Sequence, residues 1–444
     1  MIDRKRALIA NPALGFTFAW IAVICLCALR WLPAFENEYS DAVSVALFVL
    51  TWFWVGYFIS TYLSGRRVGH EVCLDTLVPP LLLRIAFVFW IVASVFEVIT
   101  SDGLPILWLF DGSGRTYEEY GIRGFHGFMN SLWMFLSFGF LINFTKRPNV
   151  ESAVAFTILI VWILLALSRA LLLLSFVQWA IYLLASRNVR FAAAMPITVA
   201  GAVAVVFLFG KLGDARQPKY NIYQSVSVKP SEEIRVRNAK EAQLELDKIN
   251  QQTSAEITSL ASASKPLEPV KPTESAKPTE SAKPISAPSG VVWGYSYLVA
   301  PIANLAYNIR EGRPEFNFPP KRTLNRVLPT SVKRLIGVDT GYFGDYGMLA
   351  HRAFNVSTGF LEAFVDLGRI GIAVLAAAMG VASHRVWCLR FNPANGPFIC
   401  AFSMCNIYTV FNLQHIQPMV IVYLLAIFIA PRLGESKRYR LAAI

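Results

Sequence analysis

Long apolar runs alternate with short polar ones over most of this 444-residue chain. A bilayer core is ~30 Å thick, so ~20 apolar residues rising 1.5 Å each cross it as a helix. Ten runs reach or approach that length: 12–31, 43–63, 79–99, 126–144, 153–168, 170–186, 191–211, 369–388, 397–413 and 416–431. The fifth and sixth meet at Ser168-Arg169, which predicts a tight hairpin or two short, tilted spans. One long stretch, 212–355, departs from the pattern. It is largely polar and becomes Arg- and aromatic-rich toward its C-terminal end. The division is therefore a seven-span region at 1–211, a large loop at 212–355, and a final region at 356–444. In the last, a re-entrant or amphipathic helix precedes three spans and a tail.

Composition agrees with a membrane protein. The chain is 55% hydrophobic, with a mean hydropathy of +0.47, which excludes an ordinary soluble domain. The first run follows Met1–Arg6, and no small-residue cleavage site precedes Trp31, so it is read as a retained span. Lys and Arg then orient the bundle. They gather at Arg4-Lys5-Arg6, Arg66-Arg67, Lys146-Arg147, Arg187/Arg190, Arg385/Arg390 and in the tail from Arg432 to Arg440. Those are alternate connections. Ten spans with both termini cytoplasmic fit this, and put 212–355 outside the cytoplasm. The net charge of +12 reads as anchoring to anionic lipid, not as nucleic-acid binding. The six cysteines lie in spans or on the cytoplasmic side, so no disulfide framework is expected.

The large loop divides by composition. Residues 231–252 are rich in helix formers of mixed charge, which predicts a solvated helix. Residues 253–290 contain the repeat KPTESAKPTESAKP and no aromatic residue, which predicts a disordered insert. From Val291 the sequence turns aromatic and is expected to fold as a lid.

Arginine is the candidate chemistry. The second outside loop carries Arg115 and Arg123, each beside a glycine, and His126 follows at the start of the next span. Arg169 sits between two apolar runs, where a charge is costly and a functional role is the default expectation. Arg84, near the cytoplasmic start of a span, reads as snorkelling. The late loop adds Arg310, Arg313, Arg322, Arg326, Arg334 and Arg352, with His351 beside the last. Guanidinium forks grip phosphate oxygens bidentately and keep their proton, so arginines from three segments on one face suit a pyrophosphate. After the loop, Glu362 and Asp366 stand four residues apart on one helical face, ahead of Gly368 and Gly371. His126, His351 and His415 show no ligand spacing, and no metal is expected.

Four segments carry a resemblance: GRTYEEYGIRGFHGFMNSLW, LSRALLLL, WGYSYLVAPIANLAYNI and NVSTGFLEAFVDLGRIGIAVL. They resemble the Wzy-type O-antigen polymerases, which join oligosaccharide repeat units. The D-x-G-x-x-G at 366–371 is the most specific of these features. The resemblance implies an all-α, GT-C-like polytopic fold of about ten spans in the bacterial inner membrane, with a large periplasmic loop between spans seven and eight. It implies glycosyl transfer between undecaprenyl-pyrophosphate-linked oligosaccharides, with no cofactor or metal, and a chain-length regulator and a flippase as partners. Arg115, Arg123, Arg169, Arg310 and Arg352 would hold the pyrophosphate. The base would be His351, Asp366 or Glu362, and the residues do not choose among them. The related O-antigen ligases carry His where Ser357 stands, which argues against a ligase. Two further alternatives are a polyprenyl-phosphate-sugar glycosyltransferase using the acids at Glu36-Asn37-Glu38, and a lipid-linked oligosaccharide flippase. The flippase is opposed by the lack of internal repeats.

Overall fold

The computed structural model describes residues 6–64, 77–108, 119–122, 124–216, 288–312, 314–316, 318–327, 357–412, 415 and 417–442. These residues form helices and turns, with no strand among them. The helices are α1 (Pro12–Leu29), α2 (Tyr39–Ser64), α3 (Pro80–Thr100), α4 (Phe125–Lys146), α5 (Val150–Leu165) and α6 (Arg169–Ala185). They continue as α7 (Phe191–Arg216), α8 (Ser289–Glu311), α9 (Lys321–Val327), α10 (Leu361–Cys388), α11 (Gly396–Ile407) and α12 (Pro418–Ala442).

Local chemistry sets several starts. The Asn11 side chain accepts from the Ala13 amide at 2.9 Å, and Pro12 occupies the first turn, where its missing N–H costs nothing. Asn149 caps α5 the same way, accepting from Ser152 at 2.8 Å. Among the described residues, six helices are long and apolar enough to cross a membrane: α1, α2, α3 with the turn after it, α4, most of α7, and α10. Shorter apolar helices are α5, α6 and the Pro418–Leu433 part of α12. The described residues are those of an all-α membrane protein. The expected hairpin is present: α5 and α6, of 16 and 17 residues, join through Leu167, whose φ of +53° turns the chain back.

Two apolar cores form. One joins α3, α4, α5, α6, α11 and α12. The other joins α1, α2, α8 and α10. Within the second, α2 and α10 approach until side chains no longer fit between them. A Cβ on Gly56 would overlap the Ala377 carbonyl, and one on Gly380 would overlap the Phe53 carbonyl. Without a hydrophobic effect inside lipid, such backbone contact is a main source of helix pairing. Buried polar groups lock the other seams. Ser403 donates to the Ala10 carbonyl at 2.6 Å, and Asn406 donates to the Pro12 carbonyl at 2.8 Å.

One segment of the expected large loop is a helix packed into the second core. Residues 289–311, within the stretch 212–355, form α8, which buries Val292, Trp293, Val299, Ile302 and Leu305 against α1, α2 and α10. Its polar face and internal Pro301 hid it from a hydropathy reading. The predicted helix at 231–252 lies outside the described residues, as does nearly all of the predicted insert at 253–290.

Gly56→Val is expected to cost at least ~1–3 kcal/mol, the usual range for overpacking. The check is thermal unfolding in detergent, with Ala378→Val, at an exposed position of α10, as the tolerated control. Equal melting of the two variants would contradict the close approach of α2 and α10.

Candidate functional site

Arg115, Arg123, His351 and Arg352 lie outside the described residues. Arg169, Arg310, Glu362 and Asp366 are placed, on α6, α8 and α10. Successive hairpins bring the α1–α2, α3–α4 and α5–α6 connections to the same end of the bundle, and α8 is tied there too. The Tyr295 hydroxyl donates to the Leu26 carbonyl at 2.8 Å and sits 3.2 Å from the Tyr39 hydroxyl.

Arg310, at the far end of α8, is held by carboxylates. It pairs with Glu38 at 3.1 Å, Asp41 at 3.2 Å and Glu311 at 2.9 Å, and donates to the Asn37 carbonyl. This fork is engaged in fastening α8 to the start of α2. Glu38, a candidate acid of the alternative glycosyltransferase reading, is buried and occupied by the same contact. Arg169 opens α6 and is also buried, at 4% exposure. Its guanidinium lies 5.6 Å from the Trp293 ring centre and 5.8 Å from that of Tyr297, whose hydroxyl accepts from it at 3.5 Å. Thirteen residues, ~20 Å of helix, separate Tyr297 from Arg310. Arg84, read as snorkelling, makes a two-pronged pair with Glu151, both bonds 2.6 Å.

Asp366 is fully buried and has a definite task. Its carboxylate accepts from the Arg322 amide at 3.0 Å, the Thr323 amide at 2.7 Å and the Thr323 hydroxyl at 2.7 Å. It caps α9 from across the fold, satisfying amides that a helix start leaves open. Gly368, two residues on, has φ +64° and ψ −150°, a region essentially reserved for glycine, and it kinks α10. That kink turns the 361–367 helix onto the membrane span. The Arg322 guanidinium donates to Glu315 at 2.6 Å, and the Glu315 amide donates to the Val365 carbonyl at 2.7 Å. Glu362, half-buried, stands at the start of α10.

A cavity lies elsewhere at this end of the bundle, between α3, α4, α5 and the α5–α6 turn. It holds ≈ 250 Å³ and is walled by Trp90, Trp133 and Trp162, with Tyr120 beside them. Besides Tyr120, two ionisable side chains line it, Glu97 and His126. Glu97, in the last turn of α3, is 3% exposed at its side chain, and its carboxylate oxygens lie 3.2 and 3.3 Å from His126 Nδ1. His126, in the first turn of α4, is 32% exposed. Its ring is held in place: Tyr120 meets it edge-to-face at 5.3 Å. Gly121, at φ +85°, passes so close that a Cβ there would come within 2.7 Å of the imidazole. Ser101 accepts from the Gly121 amide at 2.9 Å, tying this strap to the end of α3. Ser168, the neighbour of Arg169, completes the wall. Sequence reading named His126 but missed Glu97. The available signal was a carboxylate inside the apolar run VASVFEVIT.

Two outcomes follow. Asp366→Ala is expected to weaken the cap by ~1–2 kcal/mol, raising hydrogen exchange at the Arg322 and Thr323 amides ~5–30-fold; unchanged exchange would refute the cap. Glu38 offers a pH test. Burial lifts its carboxyl above the usual 4.5, and Arg310 pulls it back only in part. The folded state therefore binds this proton more tightly than the unfolded chain. The stabilisation from that proton is complete below pH 4.5 and is lost as pH rises through the raised value. Glu38→Gln should flatten that stretch of the stability–pH curve, and a wild-type slope in the variant would contradict it.

No family model, curated protein or solved structure matches the chain.

Proposed function

We propose that the protein polymerises undecaprenyl-pyrophosphate-linked oligosaccharide repeat units into O-antigen, capsule or exopolysaccharide chains. On this reading it works at the periplasmic face of the bacterial inner membrane, with ten spans and both termini in the cytoplasm. The observation that supports it best is the tryptophan-walled cavity with its carboxylate–imidazole pair, at the bundle end that the charge pattern puts outside. A sugar ring has apolar C–H faces and polar edges. Aromatic walls with a few fixed polar groups suit that mixture, as small-molecule sites generally do. At ≈ 250 Å³ the cavity falls below the ~300–1,000 Å³ of common ligand pockets. It suits one ring of a longer glycan, not the whole repeat unit.

Transfer breaks the bond between the anomeric carbon of the donor glycan and pyrophosphate, and forms one to an acceptor hydroxyl. The charge that builds on the leaving pyrophosphate needs fixed cations near the membrane face. Arg169 remains the placed candidate. It is buried, it lies against the Trp293 and Tyr297 rings, and its neighbour Ser168 is on the cavity wall. Arg115, Arg123 and Arg352 are the other candidates. Arg310, already surrounded by Glu38, Asp41 and Glu311, is better suited to holding α8.

Cells lacking the protein should make lipopolysaccharide or capsule capped with a single repeat unit. Complete loss of capped units would instead indicate a ligase or flippase. In complemented cells, Arg169→Ala should cut polymer ~100-fold or more, the usual effect of losing one fixed donor. Arg169→Lys, which keeps the charge but not the planar fork, should lose less. Normal polymer with the Ala variant, at wild-type protein levels, would remove Arg169 from the reaction.

A further inference from the structure

A carboxylate in an apolar helix is costly, and a buried ion pair is a poor way to gain stability, because desolvation offsets the attraction. Glu97 is nonetheless 3% exposed within α3, and its partner is not another buried charge. His126 is about one-third exposed, and both side chains line the same cavity. A purely structural pair has no need of an open side. Here the imidazole has one nitrogen turned to the carboxylate and a second left over. With Nδ1–H donating to Glu97, Nε2 carries the lone pair, the arrangement by which an acid–histidine pair fixes the tautomer of a base. Tyr120 and Gly121 restrict the ring from the other side, so its position is set before any ligand arrives.

From this geometry we infer that His126 is the base that activates the acceptor hydroxyl, with Glu97 as its positioning residue, and that the acceptor's terminal sugar ring sits between the tryptophans. The inference rests on the polymerase reading and gives it a base placed at a cavity. Asp366 already accepts three hydrogen bonds from α9. In the step, the acceptor oxygen bonds to the donor's anomeric carbon as its proton passes to His126 Nε2. The carbon–oxygen bond to pyrophosphate breaks, and its electron pair leaves on the pyrophosphate. Glu97 steadies the imidazolium through its contact with Nδ1. The proton then leaves to water through the exposed side of the ring. Among the described residues, Glu97 and Tyr120 are the titratable groups shown in contact with His126.

The test uses full-length protein in lipid and undecaprenyl-pyrophosphate-linked repeat units extracted from cells that lack it. His126→Ala should lower kcat ~100-fold or more with little change in KM, and added imidazole should restore part of it. Glu97→Gln should lower kcat less, again at nearly constant KM, while Trp162→Ala should raise KM for the acceptor. Wild-type turnover in His126→Ala overturns the proposal. So does a loss that imidazole does not relieve, since that assigns His126 to structure. A second readout needs no turnover: carbethoxylation of His126 by diethylpyrocarbonate, located by mass spectrometry, should slow when the repeat units are present. Unaltered labelling would take the sugar out of the cavity whatever the protein's activity. Protection without polymer from wild-type protein would instead sink the polymerase reading while keeping the sugar site.

Discussion

The contact between the α2 and α10 backbones is the constraint on which the second core depends. Gly56 and Gly380 remove the side chains that would hold these helices apart, so each helix abuts a carbonyl of the other. That approach fixes the axis of α10 and with it the bend at Gly368. The bend in turn sets where Asp366 stands, and Asp366 carries the start of α9. Substituting one glycine in the membrane is therefore felt several helical turns away, at a segment held by the far end of α10.

The two cores serve different purposes. The α1, α2, α8 and α10 group is closely packed and stitched by hydroxyl and amide groups such as Trp20, whose indole donates to Thr409 at 3.2 Å. The α3–α6 group leaves a cavity among its tryptophans. Arg169 belongs to both, since it begins a helix of the first core and lies against Trp293 and Tyr297 of the second. The guanidinium lies against two neighbouring aromatic rings, whose faces attract a cation. The joint between the cores thus carries a cation beside the cavity and not at random depth.

Much of the bundle is legible in the sequence because a span needs little more than a continuous apolar run. All ten predicted runs correspond to helices, although only six are long and apolar enough to cross a bilayer unaided. What stayed hidden depends on partners distant in the chain. Arg310 read as a free phosphate ligand because Glu38, 272 residues away, cannot be paired with it by inspection. Asp366 and Gly368 were visible as a motif, but the helix that Asp366 caps begins in the preceding loop. Glu97 was lost among Val, Phe and Ile, where one acid barely alters an average hydropathy, and its meaning comes only from His126. α8 escaped because Asn304, Asn308 and Pro301 dilute its apolar face.

The glycine seam also imposes an order on biosynthesis. α2 ends at Ser64 and α10 begins at Leu361, about 300 residues later. At ~5–20 residues per second, α2 waits roughly 15–60 s in the membrane before its partner exists. Through that interval its small-residue face must tolerate lipid. Glycine and alanine do so without exposing a charge, and the Ser60 hydroxyl, which finally meets His384 Nδ1 at 2.9 Å, can turn back to a carbonyl of its own helix meanwhile. The closure between α1 and α11, through Asn406 and Pro12, comes later still. The N-terminal helices are thus made as patient surfaces, finished only when the last part of the chain arrives.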